Sequence, residues 1–123
     1  MSLYQKNLGK KGEDLALDYL KLHNFFVLEK NFSSKFGEID IIAEKKHCLY
    51  FIEVKTRSNL NHGAPYEAVN KRKISHIKRA SQYYLLKNKL INKFDSYKLK
   101  IAVFSILIEN EKIDMKFWDD IES

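Results

Sequence analysis

The stretch from Gly37 to Lys55, GEIDIIAEKKHCLYFIEVK, decides the fold of this chain. Two apolar segments run back to back in it, and Glu38, Asp40 and Glu53 interrupt them with negative charge. A carboxylate among apolar side chains is costly unless a partner neutralises it, and a metal ion is one such partner. The stretch therefore predicts either a chemical site or a hairpin with charge on its surface.

The residues around this stretch predict a meander of three strands. Aromatic and branched side chains favour strands over about 25–32, 36–44 and 48–56, and polar residues favour turns at 33–35 and 45–47. Because both turns are short, we expect neighbouring strands to pair antiparallel.

Helical patterns lie on both sides of the meander. An apolar stripe through Leu15, Tyr19 and Leu22 predicts a first helix that Ser2 caps and that ends near residues 23–24. A polar loop over 57–63 and a short helical turn over 65–69 should precede a second helix, capped by Asn70 and ending between 88 and 91. Strands follow over 96–108 and 112–118.

The order of these elements predicts one α/β domain over residues 1–123. Its sheet should contain about five strands flanked by helices, in the order α-β-β-β-α-β-β. Because a helix connects the third and fourth strands, these two can pair in parallel, which makes the sheet mixed.

The second strand should present its acids on one face. Successive side chains alternate, so Glu38 and Asp40 should share a face, with Ile39 and Ile41 on the other. The short turn places Asp40 within one residue of a position opposite Glu53, but a slip of one residue would separate the two carboxylates. The sequence leaves this register open.

The third strand supplies the remaining charges of a candidate metal site. Glu53 and Lys55 should share a face, and a carboxylate pair formed by Asp40 and Glu53 would suit Mg²⁺ or Mn²⁺. Lys55 beside the ion would orient a water or offset charge on a phosphate, as in metal-assisted phosphodiester hydrolysis. The alternative is that Glu-x-Lys is an ordinary exposed strand face.

The first helix offers a further acid. Glu13 stands three residues before Ala16 and four before Leu17, so it either points along the core-facing side toward the sheet or lies on a solvated flank. Gly9 and Gly12 are poor helix residues, which indicates either a close approach of another group or a frayed helix start.

The charge is one-sided in the second half of the chain. The net charge is +6, and residues 71–100 hold ten lysines and arginines against one acid, Asp95. Such a segment is typical of a polyanion-binding face, although a lysine-rich surface that only contacts solvent would show the same pattern of charges. Tyr84 fits the core stripe of the second helix, which leaves Tyr83 as the exposed aromatic residue. The candidate nucleic-acid contacts are Arg57, Lys71, Arg72, Lys73, Lys78, Arg79 and Tyr83.

Composition excludes several classes of protein. A single cysteine, Cys48, excludes an internal disulfide, and the four histidines lack zinc-ligand spacing with it. No signal peptide and no apolar run of membrane-spanning length are present, so we expect a soluble cytoplasmic protein without a membrane partner.

The motifs together resemble the YraN-type family of uncharacterised bacterial proteins. The resemblance covers nearly the whole chain, with Asn24 at a position where glycine is usual. It rests on Gly9-x-x-Gly12-Glu13, Asn31 leading to GEIDII at 37–42, FIEVKTRS at 51–58, Gly63-Ala64-Pro65-x-Glu67-Ala68-Val69, Lys73, Tyr84-Leu85 and Phe94-Asp95.

The resemblance implies a restriction-endonuclease-like fold similar to that of Holliday-junction resolvases. It also implies an Asp…Glu-x-Lys nuclease signature, with Asp40 and Glu53 as metal ligands, Lys55 as the catalytic lysine and Glu13 as an additional helix acid. A homodimer is an expectation by analogy only.

Two functions remain as hypotheses. The first is a Mg²⁺-dependent or Mn²⁺-dependent endonuclease that acts on DNA, with structured or branched DNA as a candidate substrate. The alternative is a nucleic-acid-binding or protein-interaction module that keeps the fold without catalysis.

Overall fold

The computed structural model of the chain describes residues 2–59, 61, 63 and 69–122. The elements follow in the predicted order α-β-β-β-α-β-β, which confirms the mixed α/β class. They are α1 (Leu3–Leu22), β1 (Phe26–Ser34), β2 (Gly37–Lys45), β3 (Cys48–Arg57), α2 (Lys71–Lys87), β4 (Lys98–Glu109) and β5 (Lys112–Trp118). The helical turn predicted over 65–69 lies outside the described residues, apart from Val69.

Local sequence explains where the helices begin and end. Ser2 and Gln5 form a capping box at the start of α1, and the Asn70 side chain accepts the Lys73 N–H at the start of α2. After α1, Asn24 has φ +63, a left-handed conformation that glycine and asparagine tolerate best. Asparagine can therefore occupy this position, where the resemblance leads one to expect glycine.

The five strands form one sheet in the order β1-β2-β3-β4-β5. Three pairs are antiparallel, and β3 and β4 pair in parallel from Cys48↔Lys98 to Arg57↔Leu107, as the α2 crossover predicts. The predicted turn at 33–35 is wrong by two residues, since β1 continues through Ser34. The Ser34 hydroxyl accepts the Phe36 N–H and donates to the Gly37 carbonyl, which closes a tighter turn.

A core layer fills each face of the sheet. The layer under α2 includes Phe51, Ile77 and Tyr84, and the layer under α1 includes Leu20 and Phe104. Burial of one such large side chain stabilises the fold by roughly 1.5–3 kcal/mol. The two layers hold β3 between the helices and thereby position the charged end of that strand.

Strict alternation along β2 fails at Asp40. Ile39 packs in the layer under α2, whereas Ile41 packs in the layer under α1, so the prediction that these isoleucines share a face is wrong. The physical reason lies in the strand pairing. The β2–β3 register runs from Lys45↔Cys48 to Ile41↔Ile52, and next to it the Val54 N–H donates to the Asp40 carboxylate.

Gly12 marks a close approach of α1 to the sheet. It is buried, and a Cβ added to it would overlap the Thr56 hydroxyl on β3. Apart from its chain neighbours and the backbone of its own helix, no described residue lies within 4 Å of a Cβ added at Gly9. Of the two interpretations of these glycines, the close approach therefore holds at Gly12.

Candidate metal and phosphodiester site

The site begins where β2 and β3 diverge. Asp40 immediately precedes Ile41, the first residue of β2 that pairs with β3, and its Oδ2 accepts the Val54 N–H at 2.7 Å. The pairs Ile41↔Ile52 and Ile42↔Phe51 set a register whose next pair is Asp40 and Glu53. The structure therefore brings the two acids together, and the Asp40 side chain takes a bond that a backbone carbonyl would take in a continuous ladder.

Glu53 is the buried acid of the site, with 5% of its surface exposed. Its Oε1 lies 3.3 Å from the Lys55 Nζ and 3.7 Å from the Lys73 Nζ. Its Oε2 is buried and has no hydrogen-bond partner among the described residues. A buried carboxylate oxygen without a partner is costly, so this atom identifies a position where a bound group would fit.

Lys73 joins the site from a distant part of the sequence. Sequence patterns indicate it only as one of the basic residues of α2. In the structure, the cap at Asn70 starts the helix so that Lys73, in its first turn, reaches Glu53. The only sequence signal for this role is its place in the family motif, because nothing local links α2 to β3.

The electrostatics of the site favour a cation. Burial and the neighbouring Glu53 carboxylate raise the pKa of Asp40 to about 7, against the opposing effect of the hydrogen bond from Val54. Burial and the Glu38 carboxylate raise the pKa of Glu13. Glu13 and Glu38 also raise the pKa of Asp40. Glu13, Glu38 and Glu53 thus each repel Asp40, and a bound cation would relieve that repulsion.

Glu13 is half-buried and lines the same cleft as Asp40 and Lys55. Of the two positions predicted for it, the structure has the one that faces the sheet. Glu38 is exposed and lies close enough to raise the pKa of Glu13. Glu38 therefore lies at the edge of the site and affects it through its charge.

The cleft itself has a volume of about 890 Å³. One wall is the first three turns of α1, including Tyr4 and Leu8, and the other is the end of β3 from Val54 to Arg57. Two further buried polar atoms at this end of β3, Thr56 Oγ1 and Arg57 Nε, lack hydrogen-bond partners among the described residues. The cleft is thus large and polar enough to hold a ligand.

The donor set fits a magnesium-type ion in an open site. Among the described residues, no group of three or more His, Cys, Asp and Glu side chains is arranged to hold a metal. Mg²⁺ is commonly held by one or two carboxylates, with waters and substrate oxygens as its remaining ligands. Asp40 and Glu53, with the unpartnered Oε2, match that smaller requirement.

The predicted basic residues fall in several environments. Lys71, Arg72 and Arg79 are exposed on α2, whereas Lys78 forms an ion pair with Glu122 at 2.7 Å. Arg57 lines the cleft.

The two tyrosines of α2 differ as predicted. Tyr84 is buried in the core layer under α2, whereas Tyr83 keeps more exposure. The Tyr83 ring is nevertheless half-buried and packs against Phe32 and Phe36, with centroids 6.2 and 6.0 Å away. Only part of its surface is therefore available to a ligand.

Fold and site together define a class: a mixed α/β protein that holds a carboxylate pair and two lysines where neighbouring strands diverge. The chain belongs to UPF0102, an uncharacterised protein family whose model matches residues 12–103. This confirms the resemblance to the YraN-type family.

Two relatives illustrate the similarity. The chain is 46% identical over 94 residues to a UPF0102 protein of Clostridium botulinum (strain 657 / Type Ba4), covering 76% of each chain. It is 43% identical over 103 residues to a UPF0102 protein of Dictyoglomus thermophilum, covering 84% of each. Neither α1 nor α2, the two described helices, is long and apolar enough to cross a membrane.

Proposed function

We propose that this protein is a Mg²⁺-dependent or Mn²⁺-dependent endonuclease that hydrolyses DNA phosphodiester bonds. The observation that carries the proposal is the meeting of Asp40, Glu53 and Lys55 at one strand end, with the buried Glu53 Oε2 left unpartnered. Carboxylates that hold a cation beside an ammonium group form a set suited to hydrolysis of a phosphodiester.

Each residue has a distinct task in this proposal. Asp40 and Glu53 hold the cation, which when bound polarises the phosphoryl oxygen and lowers the pKa of a coordinated water. Lys55, whose side chain keeps 32% of its surface exposed, is free to reach a phosphate from its position next to Glu53. Glu13 faces the cleft from α1, where it can accept a proton from a water or orient it.

A nucleic acid is the polyanion that the surrounding charge suits, and we take DNA as the proposed substrate. The contact between Lys73 and Glu53 sets the first turn of α2 beside the site, so the exposed Lys71 and Arg72 of that turn can bind flanking phosphates. Structured or branched DNA is the proposed substrate class.

The test is cleavage of labelled linear, flapped and four-way-junction DNA with Mg²⁺ or Mn²⁺. Asp40→Asn and Glu53→Gln should each lower the rate at least about 100-fold, since even loss of groups that only support metal ligands costs roughly 10–100-fold. Lys55→Ala should lower the rate without weakening Mn²⁺ binding. Asp114→Asn, an exposed acid on β5, is the matched control. Equal cleavage by the parent and by Asp40→Asn would refute the proposal.

One observation favours the second candidate, a nucleic-acid-binding module without catalysis. The ammonium groups of Lys55 and Lys73 already offset the charge of Glu53 without a metal ion. Such a module would bind DNA with an affinity that falls steeply with salt and does not respond to EDTA. Charge reversal at Lys71, Arg72, Lys78 and Arg79 would abolish that binding, whereas Asp40→Asn would leave it unchanged.

A further inference from the structure

A second cleft, of about 540 Å³, lies at the other end of β3 from the acidic site. Its lining includes Cys48 and Tyr50 at the start of the strand, whereas the acidic cleft is lined by Val54 to Arg57 at its end. At about 3.3 Å per residue, the Cα atoms of Cys48 and Lys55 are roughly 23 Å apart along the strand. The two clefts are therefore separate sites.

One wall of this second cleft is a preorganised aromatic surface. The rings of Tyr19 and His23 stack with centroids 3.9 Å apart and planes 15° apart. The His23 Nδ1 donates to the Tyr19 carbonyl at 2.9 Å, which holds the imidazole in this orientation. Phe25 packs edge-on against Tyr50 at 5.0 Å and supports the same wall. Because His23 itself is exposed, its outer face is open to a flat ligand.

Cations surround these rings. The Lys45 ammonium lies 4.9 Å from the Phe25 centroid, and the Lys100 ammonium lies 5.6 Å from the Tyr50 centroid. Lys46 is exposed at the tip of the β2–β3 turn. Within the part of the chain that the structure describes, neither Lys45 nor Lys46 has a carboxylate oxygen within 4.0 Å.

Asp119 is the one acid in the described lining of this cleft. Asp120 also interacts with Lys100, so two carboxylates oppose the three ammonium groups, and the remaining excess of positive charge would complement a bound anion. Asp119 offsets part of that excess, so its removal should strengthen the attraction for an anion.

We propose that this cleft binds one nucleotide of a single-stranded nucleic acid, independently of the metal site. The base would stack on the Tyr19–His23 wall, and the phosphate would bind Lys45, Lys46 and Lys100. Such a ligand needs a π surface and cations within reach of each other, which is the combination that single-strand binding sites use. An inorganic anion would use only the lysines, and a neutral aromatic compound only the rings.

The experiment measures fluorescence anisotropy of a labelled oligothymidylate of about five nucleotides with the full chain in EDTA, so that metal chemistry does not contribute. Replacing both hairpin lysines, Lys45→Gln with Lys46→Gln, should weaken binding and reduce the salt slope by up to about 0.7, the value for loss of one phosphate contact on a single strand. His23→Ala should weaken binding at least about fivefold through lost stacking. Asp119→Asn should tighten it.

The matched control replaces two exposed lysines of β5, Lys112→Gln with Lys116→Gln, and should bind like the parent. Thymidine 5′-monophosphate should displace the oligonucleotide better than inorganic phosphate, thymidine or polyglutamate. Equal displacement by phosphate or polyglutamate would overturn the proposal. Parent-like binding by the His23 and hairpin-lysine variants would also overturn it, and so would a loss of affinity in the control as large as that in the hairpin-lysine variant. Because Asp40 and Glu53 stay intact and EDTA is present, failure of the nuclease proposal would not alter this result.

Discussion

Asp40→Asn isolates the electrostatic cost of the acidic site. The substitution removes the negative charge next to Glu53 but preserves side-chain shape. The amide oxygen of asparagine can still accept the Val54 N–H that Asp40 accepts at 2.7 Å. A change in the free energy of unfolding therefore reports charge rather than packing.

The pKa of Asp40 sets the size and the sign of the effect. This pKa is about 7 in the folded protein against an ordinary value of 3.8, because burial and Glu53 disfavour the charged form. The folded state thus holds its proton more tightly than the unfolded state, so stability falls as the pH rises from about 4 to 7. At about 1.4 kcal/mol per pH unit, the loss at pH 8 is on the order of 4 kcal/mol, an upper value because water still reaches part of the site.

The assay is urea denaturation in EDTA at several pH values, for the parent and for Asp40→Asn. The variant should match the parent near pH 3.5 and exceed its free energy of unfolding increasingly up to pH 8. Comparing the two proteins at each pH removes the contribution of other titrating groups, and Asp114→Asn controls for the loss of one negative charge. An Asp40→Asn variant no more stable than the parent at pH 8, or a difference independent of pH, would refute the reasoning.

Three further predictions concern metal binding and local packing. Mn²⁺ should raise the melting temperature of the parent more at pH 8 than at pH 5.5, because protons compete for Asp40, and an equal rise at both would contradict its role as a ligand. Gly12→Ala should lower the free energy of unfolding by roughly 1–3 kcal/mol through its clash with Thr56, whereas Gly9→Ala, with open space on the same helix, should raise it by up to about 1 kcal/mol. Urea denaturation measures both, and a loss at Gly9 equal to that at Gly12 would show that the contact is not the cause. Asn70→Ala should cost about 1 kcal/mol in the same assay through loss of the α2 cap, and an unchanged value would contradict that role.

Two lysines offset the charge of the buried Glu53, but both approach the same carboxylate oxygen. Lys55 and Lys73 both approach Oε1, so Oε2 remains the buried acceptor without a partner among the described residues. A bound cation would occupy that remaining position without displacing either lysine from Oε1. This division explains how Glu53 can stay buried without a metal and still be available to one.

The sequence by itself determined the elements and their order. Ser2 and Asn70 start the helices through bonds to residues three positions away, and the turn between β2 and β3 is short enough to make these strands neighbours. The same turn placed Asp40 within one residue of Glu53. These features were predictable because each depends on side chains close together in the chain.

Only the tertiary structure decided how the site is assembled. It selected the register that sets Asp40 beside Glu53, and it stopped the β2–β3 pairing before Asp40, whose carboxylate accepts the Val54 N–H in place of a backbone carbonyl. It also brought Lys73 to Glu53 and pressed Gly12 against Thr56.

The cleft of Tyr19, Lys45 and Lys100 likewise combines side chains from three separate elements. None of these relations was available from local patterns, because each depends on how separate strands pair or on how the helices pack on the sheet. Strand periodicity specifies which residues can pair, whereas burial of the two core layers selects the pairing that forms.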